Sequence, residues 1–105
     1  MSEVVVVLST APEAEAEALV DRLLAERLAA CVNVVGPVRS RYWWEGKVES
    51  AEEVLLVAKT TAERAPALRR RIAELHSYDV AEVLELPVTG GSQAYLDWVV
   101  STCSR

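Results

Sequence analysis

The sequence has few of the residues from which metal, redox and phosphate sites are usually made. Among 105 residues there are one histidine and two cysteines, and Cys31 and Cys103 lie far apart without a CxxC spacing. Such a pair is not a disulfide framework, and it does not match the spacing of a zinc site. The P-loop, GxGxxG and GxSxG motifs are also missing, so no phosphate-binding, dinucleotide-binding or serine hydrolase site is predicted.

Excess positive charge and long apolar runs are missing as well. The formal net charge is −5, which argues against nucleic acid as a partner, because that affinity depends on basic side chains neutralising phosphates. The apolar run at residues 4–8 is too short for a membrane span or for the core of a signal peptide. We therefore expect no nucleic acid and no membrane as partners, and we predict a cytoplasmic protein.

The overall composition is that of one globular domain, which we predict to span residues 1–105. Hydrophobic residues make up 51% of the chain and charged residues 26%, as in folded soluble proteins. Asparagine and glutamine occur once each; such low usage is typical of thermostable proteins, and a GC-rich genome gives similar usage.

The first half of the chain predicts a strand, a long helix and a long β-hairpin. Residues 4–8 read as a buried strand, and Thr10 with Glu13 is spaced as a capping box for a helix over residues 12–30. A hairpin follows, with a bulge at Gly36-Pro37, a reversal at residues 45–47 and a second arm over residues 47–59. Three glutamates of that arm are expected to face water, namely Glu49, Glu52 and Glu53.

The second half predicts a helix, a strand and a final helix. Thr60 and Thr61 precede an apolar stripe that indicates a helix over residues 63–76, and residues 82–86 alternate as a half-buried strand. Ser92 is placed to cap a short final helix marked by Tyr95, Leu96, Val99 and Val100. Cys103 lies among the last residues, and we expect it to be inert or frayed. The order β-α-β-β-α-β plus a helix predicts an α+β sandwich with both long helices on one face of the sheet.

The opposite face of that sheet would carry apolar residues, and the hairpin tip carries Trp43 and Trp44. One small chain has little core with which to bury two adjacent indoles, each worth roughly 1.5–3 kcal/mol when buried. We therefore predict a closed oligomer in which copies of the chain cover these surfaces.

Several residues are candidates for chemistry, and each has a simpler interpretation. His76 is either a metal ligand or catalytic residue, or a hydrogen-bonded loop residue at a subunit boundary. Cys31 is either a small buried hydrophobe or the nucleophile of a Cys–His pair. Tyr42 and Trp44, on one face of their strand, either stack a ligand or pack between subunits. Lys59 and Glu82 stand beside apolar strand residues, and if half-buried they should be paired.

Taken together, the motifs resemble the CutA divalent-cation tolerance family over nearly the whole chain. The matching segments are Thr10-Ala-Pro, Glu26-Arg-Leu-Ala-Ala-Cys-Val-Asn33, Ser40-Arg-Tyr-Trp-Trp-Glu-Gly-Lys47, Lys59-Thr-Thr61, His76-Ser-Tyr78, Glu82-Val-Leu, Leu86-Pro-Val and Tyr95-Leu-Asp-Trp98. The resemblance implies a ferredoxin-like fold, a homotrimer similar to the PII signalling proteins, and a non-enzymatic role in tolerance of copper and other divalent metal ions.

The resemblance also implies which residues to examine. Copper binding in the family is associated with cysteine and with the histidine of a His-Pro-Tyr loop, which here reads His76-Ser77-Tyr78. His76 and Cys31 are therefore the implied copper ligands. An inter-subunit cleft or ligand pocket would be formed by Tyr42, Trp44, Lys59, Tyr78, Glu82 and Trp98. The alternative function is a PII-like trimer that binds a small ligand or a partner, with metal binding incidental.

Overall fold

A computed structural model describes residues 3–104 and confirms the predicted α+β order of elements. Within those residues the elements are β1 (Val4–Ala11), α1 (Glu13–Ala25), β2 (Cys31–Trp44), β3 (Lys47–Thr61), α2 (Ala65–Leu75), β4 (Val83–Pro87) and α3 (Gln93–Cys103). The strands form one antiparallel sheet in the order β2-β3-β1-β4, a ferredoxin-like arrangement with an added C-terminal helix. The predicted domain of residues 1–105 includes Met1, Ser2 and Arg105, which lie outside the described residues.

The hydrophobic core lies between one face of the sheet and the helices α1 and α2, as predicted. Val7 and Leu56 from the central strands pack with Leu23 of α1 and Leu68 of α2, and each is at most 2% exposed. Burial of a side chain of this size stabilises the fold by roughly 1.5–3 kcal/mol. The core therefore fixes both helices on the same side of the sheet.

The opposite side of the sheet, here called the open face, keeps an apolar surface. Strand register places on it Val6, Leu8, Val35, Leu55, Val57, Leu84 and Leu86. Leu84 and Leu86 are 53% and 45% exposed. The helix α3 packs Val99 and Cys103 against Val4 at one end of the sheet, and the remaining apolar residues of the open face are partly exposed.

The first helix differs from its prediction at both ends. Thr10 belongs to β1, opposite Leu55, and no side chain caps α1, so the predicted capping box is wrong. The helix ends at Ala25 because Arg27 adopts a φ of 59°. The N–H of Leu28 then donates to the carbonyl of Leu23 at 3.1 Å, as in a Schellman motif. The predicted helical residues 26–30 are a turn leading into β2.

The second helix and the chain terminus also depart from the prediction. The strand β3 continues to Thr61, whose hydroxyl accepts a hydrogen bond from the Arg64 N–H at 3.2 Å, and α2 begins only at Ala65. Ser92 caps α3 as predicted by accepting from the Tyr95 N–H at 3.3 Å. Cys103 is not frayed, because its side chain is only 1% exposed.

The hairpin has the predicted turn and bulge. Glu45 and Gly46 form the turn with φ values of 49° and 80°, as in the type I′ turns that suit two-residue hairpin loops. The register shifts between Val35 and Val38, where Gly36-Pro37 supplies an extra residue. A β-carbon on Gly36 would lie 2.7 Å from Val54 Cγ1, so the close approach of the two strands requires glycine there. The outer strands β2 and β4 contain Pro37 and Pro87.

Candidate functional site

The bulge decides which side chains of the hairpin tip share the open face. Before it, odd-numbered residues of β2 lie opposite the open-face residues of β3, as Val35 does opposite Leu55. After it, the even-numbered residues do so, and Val38 lies opposite Glu53. Cross-strand neighbours point to the same side of a sheet. Tyr42 and Trp44 therefore lie on the side of Glu53, and Trp43, 74% exposed, lies on the other side.

An open cleft of about 840 Å³ lies between this part of the hairpin and the loop that joins α2 to β4. We call it the hairpin cleft. It is lined by Thr10, Ser40, Arg41, Tyr42, Trp43, Trp44, Glu53, Ser77, Tyr78, Asp79, Val80, Ala81 and Glu82. The structure thus brings together four of the six residues predicted for a ligand pocket: Tyr42, Trp44, Tyr78 and Glu82.

A buried carboxylate forms the floor of the hairpin cleft. Glu53 is only 6% exposed, so the expectation that it faces water is wrong. Its Oε2 accepts a hydrogen bond from the Ser40 hydroxyl at 2.6 Å, and its Oε1 accepts one from the Tyr78 hydroxyl at 3.0 Å. Strand alternation places Glu53 on the open face, but its burial depends on Tyr78, which is 25 residues further along the chain. Sequence reasoning missed Glu53 and Ser40 for that reason.

Tyr78 is held as a neutral hydrogen-bond donor. Burial raises the pKa of Tyr78 to about 12, and its hydrogen bond to the Glu53 carboxylate contributes in the same direction. Ionisation would put a phenolate next to that carboxylate, which the low local dielectric makes unfavourable. The Tyr78 hydroxyl therefore keeps its proton and donates it in the hydrogen bond to the Glu53 side chain.

His76 positions Tyr78 and uses both ring nitrogens in doing so. Nε2 lies 2.6 Å from the Thr10 carbonyl oxygen, and Nδ1 accepts from the Tyr78 N–H at 3.1 Å. These contacts together assign the neutral tautomer with its proton on Nε2. The His76 and Tyr78 rings also pack with centroids 4.6 Å apart. A histidine ligates a metal through an unprotonated nitrogen that is free to coordinate, so His76 in this arrangement does not fit a ligand role.

The other predicted residues lie at the opposite end of the open face, in a group we call the Cys31 cluster. Cys31 is half-buried and lies opposite Lys59, whose ammonium group donates to the Asn33 side-chain oxygen. Burial raises the pKa of Tyr95, and its hydrogen bond with the Cys31 thiol raises it further. Trp98 packs against Tyr95 on α3, with their ring centroids 5.6 Å apart. Lys59 and Trp98 therefore do not line the hairpin cleft. Glu82 does line that cleft, and it is exposed at the rim of the cleft.

Cys31 and His76 are not neighbours within one chain. The register aligns Cys31 with Lys59 and Val6, whereas His76 contacts Thr10, four residues further along β1. Four strand residues span roughly 13 Å, which is too far for a nucleophile to contact its base. Residues 3–104 also contain no cluster of three His, Cys, Asp or Glu side chains that could hold a metal ion. The side chains of one chain therefore do not fit the copper site that the sequence resemblance implies.

Comparison with known proteins gives the family directly. The sequence profile of the CutA1 divalent ion tolerance protein family matches residues 4–102. The chain belongs to the CutA1 family. It is 45% identical over 95 residues to the divalent-cation tolerance protein CutA of Thermus thermophilus, covering 90% of this chain and 92% of the relative. The structure of CutA from Archaeoglobus fulgidus superimposes with a TM-score of 0.91 at 38% identity, covering 95% of this chain and 98% of that one.

The relatives also correct the predicted cytoplasmic location. A rice CutA1 relative, 45% identical over 96 residues, is described as chloroplastic, and the Archaeoglobus fulgidus protein is described as periplasmic. The match with the rice protein covers 90% of this chain but only 54% of the length of the rice protein. These relatives are described from compartments other than the cytoplasm, so the prediction of a cytoplasmic protein is wrong. No helix of residues 3–104 has the length and hydropathy needed to cross a membrane.

Proposed function

We propose that this CutA1 protein acts in divalent-cation tolerance as a homotrimer and catalyses no reaction. Its membership of the tolerance family over residues 4–102 is the observation that carries the proposal. The open face supports self-association, because an apolar surface of this kind is normally covered by another chain. Cys31 aligns with Val6 and His76 contacts Thr10, and the roughly 13 Å between those two β1 positions leaves the Cys–His nucleophile pair without support.

We propose further that copper contacts the protein at a boundary between subunits, with the Cys31 thiolate as a ligand. Copper(I) prefers soft sulfur ligands, and Cys31 is the more accessible of the two free cysteines. It lies at one end of the open face that a trimer would cover. A second chain would then supply the donors that one chain does not bring together.

A copper titration of the purified protein under reducing conditions tests this proposal. We expect Cys31→Ser to weaken copper binding by about tenfold or more, because the variant loses its soft ligand. Cys103→Ser is the matched control, since Cys103 is 1% exposed and should leave the titration unchanged. His76→Ala should also bind copper normally, because both ring nitrogens are used inside the chain. Identical curves for the native protein and Cys31→Ser would contradict the assignment.

The hairpin cleft favours a second candidate function, a trimer that binds a small ligand for regulation. A volume of about 840 Å³ lies within the range of sites for small molecules and cofactors. Aromatic walls with a few fixed polar groups are also typical of such sites. Under this second function, metal binding would be incidental.

A further inference from the structure

We propose that the hairpin cleft binds a small organic cation, such as an amine or a quaternary ammonium compound. The inference rests on the second candidate function above and gives it a ligand class. It follows from three properties of the cleft: a buried carboxylate that lacks a cation, a rim that is mostly acidic, and aromatic walls.

The buried carboxylate is the first property. Glu53 is 6% exposed, and both of its oxygens accept hydrogen bonds from neutral hydroxyl groups. Hydroxyl donors satisfy the oxygen lone pairs but leave the charge uncompensated. Within residues 3–104 no ion pair involves Glu53, whereas glutamates elsewhere, such as Glu26 and Glu85, pair with arginines. Buried charges in proteins are normally paired, so the floor of the cleft favours a cationic ligand.

The charged residues at the rim of the cleft also favour a cationic ligand. Asp79 and Glu82 line the cleft with Glu53, and Arg41 is the one basic residue among its lining residues. These three carboxylates outnumber the one arginine, so the formal charge of the lining is negative. A cleft lined by one sign of charge raises the local concentration of ions of the opposite sign. Phosphates and nucleotides would instead meet three carboxylates.

The aromatic walls distinguish an organic cation from a metal ion. Tyr42 and Trp44 are 43% and 45% exposed and line the cleft on the hairpin side, and Tyr78 lines it on the loop side. Aromatic faces attract ammonium groups through the ring quadrupole, and tryptophan does so best. No three carboxylate, histidine or cysteine side chains of residues 3–104 come close enough to hold a metal ion. An alkylated ammonium group uses both the carboxylate and the rings.

Calorimetric titration of the intact protein with choline tests the assignment. The matched ligand is 3,3-dimethyl-1-butanol, which replaces the ammonium nitrogen of choline by carbon and is neutral. We expect choline to bind at least about tenfold more tightly than the neutral alcohol. Glu53→Gln should weaken choline binding by about tenfold while keeping the shape of the side chain. Glu17→Gln, an equal charge change on the exposed side of α1, should have no effect.

A second variant keeps the test decisive if Glu53→Gln fails to fold. Trp44→Leu changes a partly exposed side chain and should also weaken choline binding several-fold. Equal binding of choline and the neutral alcohol, or choline binding unchanged in both variants, would overturn the proposal. Inorganic phosphate is the third probe. Binding of phosphate without choline would reject the organic cation but leave a small-ligand function standing, and binding of none of the probes would count against both.

Discussion

At the scale of single residues, a hydrogen-bonded chain connects four parts of the molecule. It runs from the Thr10 carbonyl through His76 and Tyr78 to the Glu53 carboxylate and the Ser40 hydroxyl. Its members come from β1, the loop after α2, β3 and β2. The lone histidine, His76, therefore acts in this hydrogen-bonded series as a positioning residue for Tyr78. His76 helps to shape the hairpin cleft but is not one of the residues that line it.

Removing the Tyr78 hydroxyl should destabilise the protein. Tyr78→Phe leaves Oε1 of a buried carboxylate without its donor, and hydrogen bonds to charged groups are worth about 1.5–3 kcal/mol. We expect a loss of this size in the free energy of unfolding, measured with urea at a fixed protein concentration. Tyr42→Phe is the control. Within residues 3–104 the Tyr42 hydroxyl has no hydrogen-bond partner, and the residue is 43% exposed. Equal losses in the two variants would contradict the role given to the Tyr78–Glu53 contact.

Stability should also fall at high pH. The pKa of Tyr78 is raised to about 12 in the folded chain, first by burial and then by Glu53, from about 10 in the unfolded chain. The folded state thus holds this proton more tightly, and the resulting stabilisation is fully present below about pH 10 and is lost as the pH rises towards 12. Urea midpoints measured across that interval should fall less steeply for Tyr78→Phe than for the native protein. Parallel slopes would show that Tyr78 does not ionise with this shift.

At the scale of the elements, local patterns predicted the hairpin better than the helix ends. The turn residue Gly46 and the bulge at Gly36-Pro37 are recognisable because each solves a local backbone problem. The early end of α1 was not predictable in this way, since Arg27 adopts a positive φ that favours glycine. The sequence also gave no signal that Glu53 is buried, because the groups that cover it come from another part of the chain.

The tight approach of the strands at Gly36 predicts a steric penalty. A β-carbon there would lie 2.7 Å from Val54 Cγ1, and Val54 is 3% exposed and has little room to move. Gly36→Ala should therefore destabilise the protein by about 1–3 kcal/mol, the usual cost of overpacking. Gly90→Ala is the control, since nothing lies within 4 Å of its added carbon. Urea unfolding of both variants measures the difference, and equal stabilities would show that the strands separate without cost.

At the scale of the whole molecule, the hairpin makes one chain long and narrow. The principal extents are 44, 26 and 22 Å, and the exposed aromatic tip and the apolar open face lie on this extended shape. The apolar residues of the open face could be predicted from the sequence, because strand alternation identifies them. The number of chains depends on the angle at which surfaces meet, which residue patterns do not encode.

A charge on the open face should separate the subunits. Leu86→Glu places a carboxylate among the apolar residues that the trimer would bury, and desolvating it opposes association. Light scattering should give the mass of three 11.5 kDa chains for the native protein and of one chain for the variant. Leu24→Glu is the control, because Leu24 is 38% exposed on α1, away from the open face. A native mass of one chain would contradict the trimer.

The prolines of the two outer strands bear on how concentrated solutions of the protein should behave. Sheets from different molecules can pair edge to edge and grow into fibrils when each edge strand has an uninterrupted row of backbone N–H donors. Pro37 and Pro87 lack an N–H group, and one of them stands on each border of this sheet. Endless strand-by-strand growth is thus blocked on both sides. Crowded preparations should stay clear and free of amyloid, even though the strands are rich in valine.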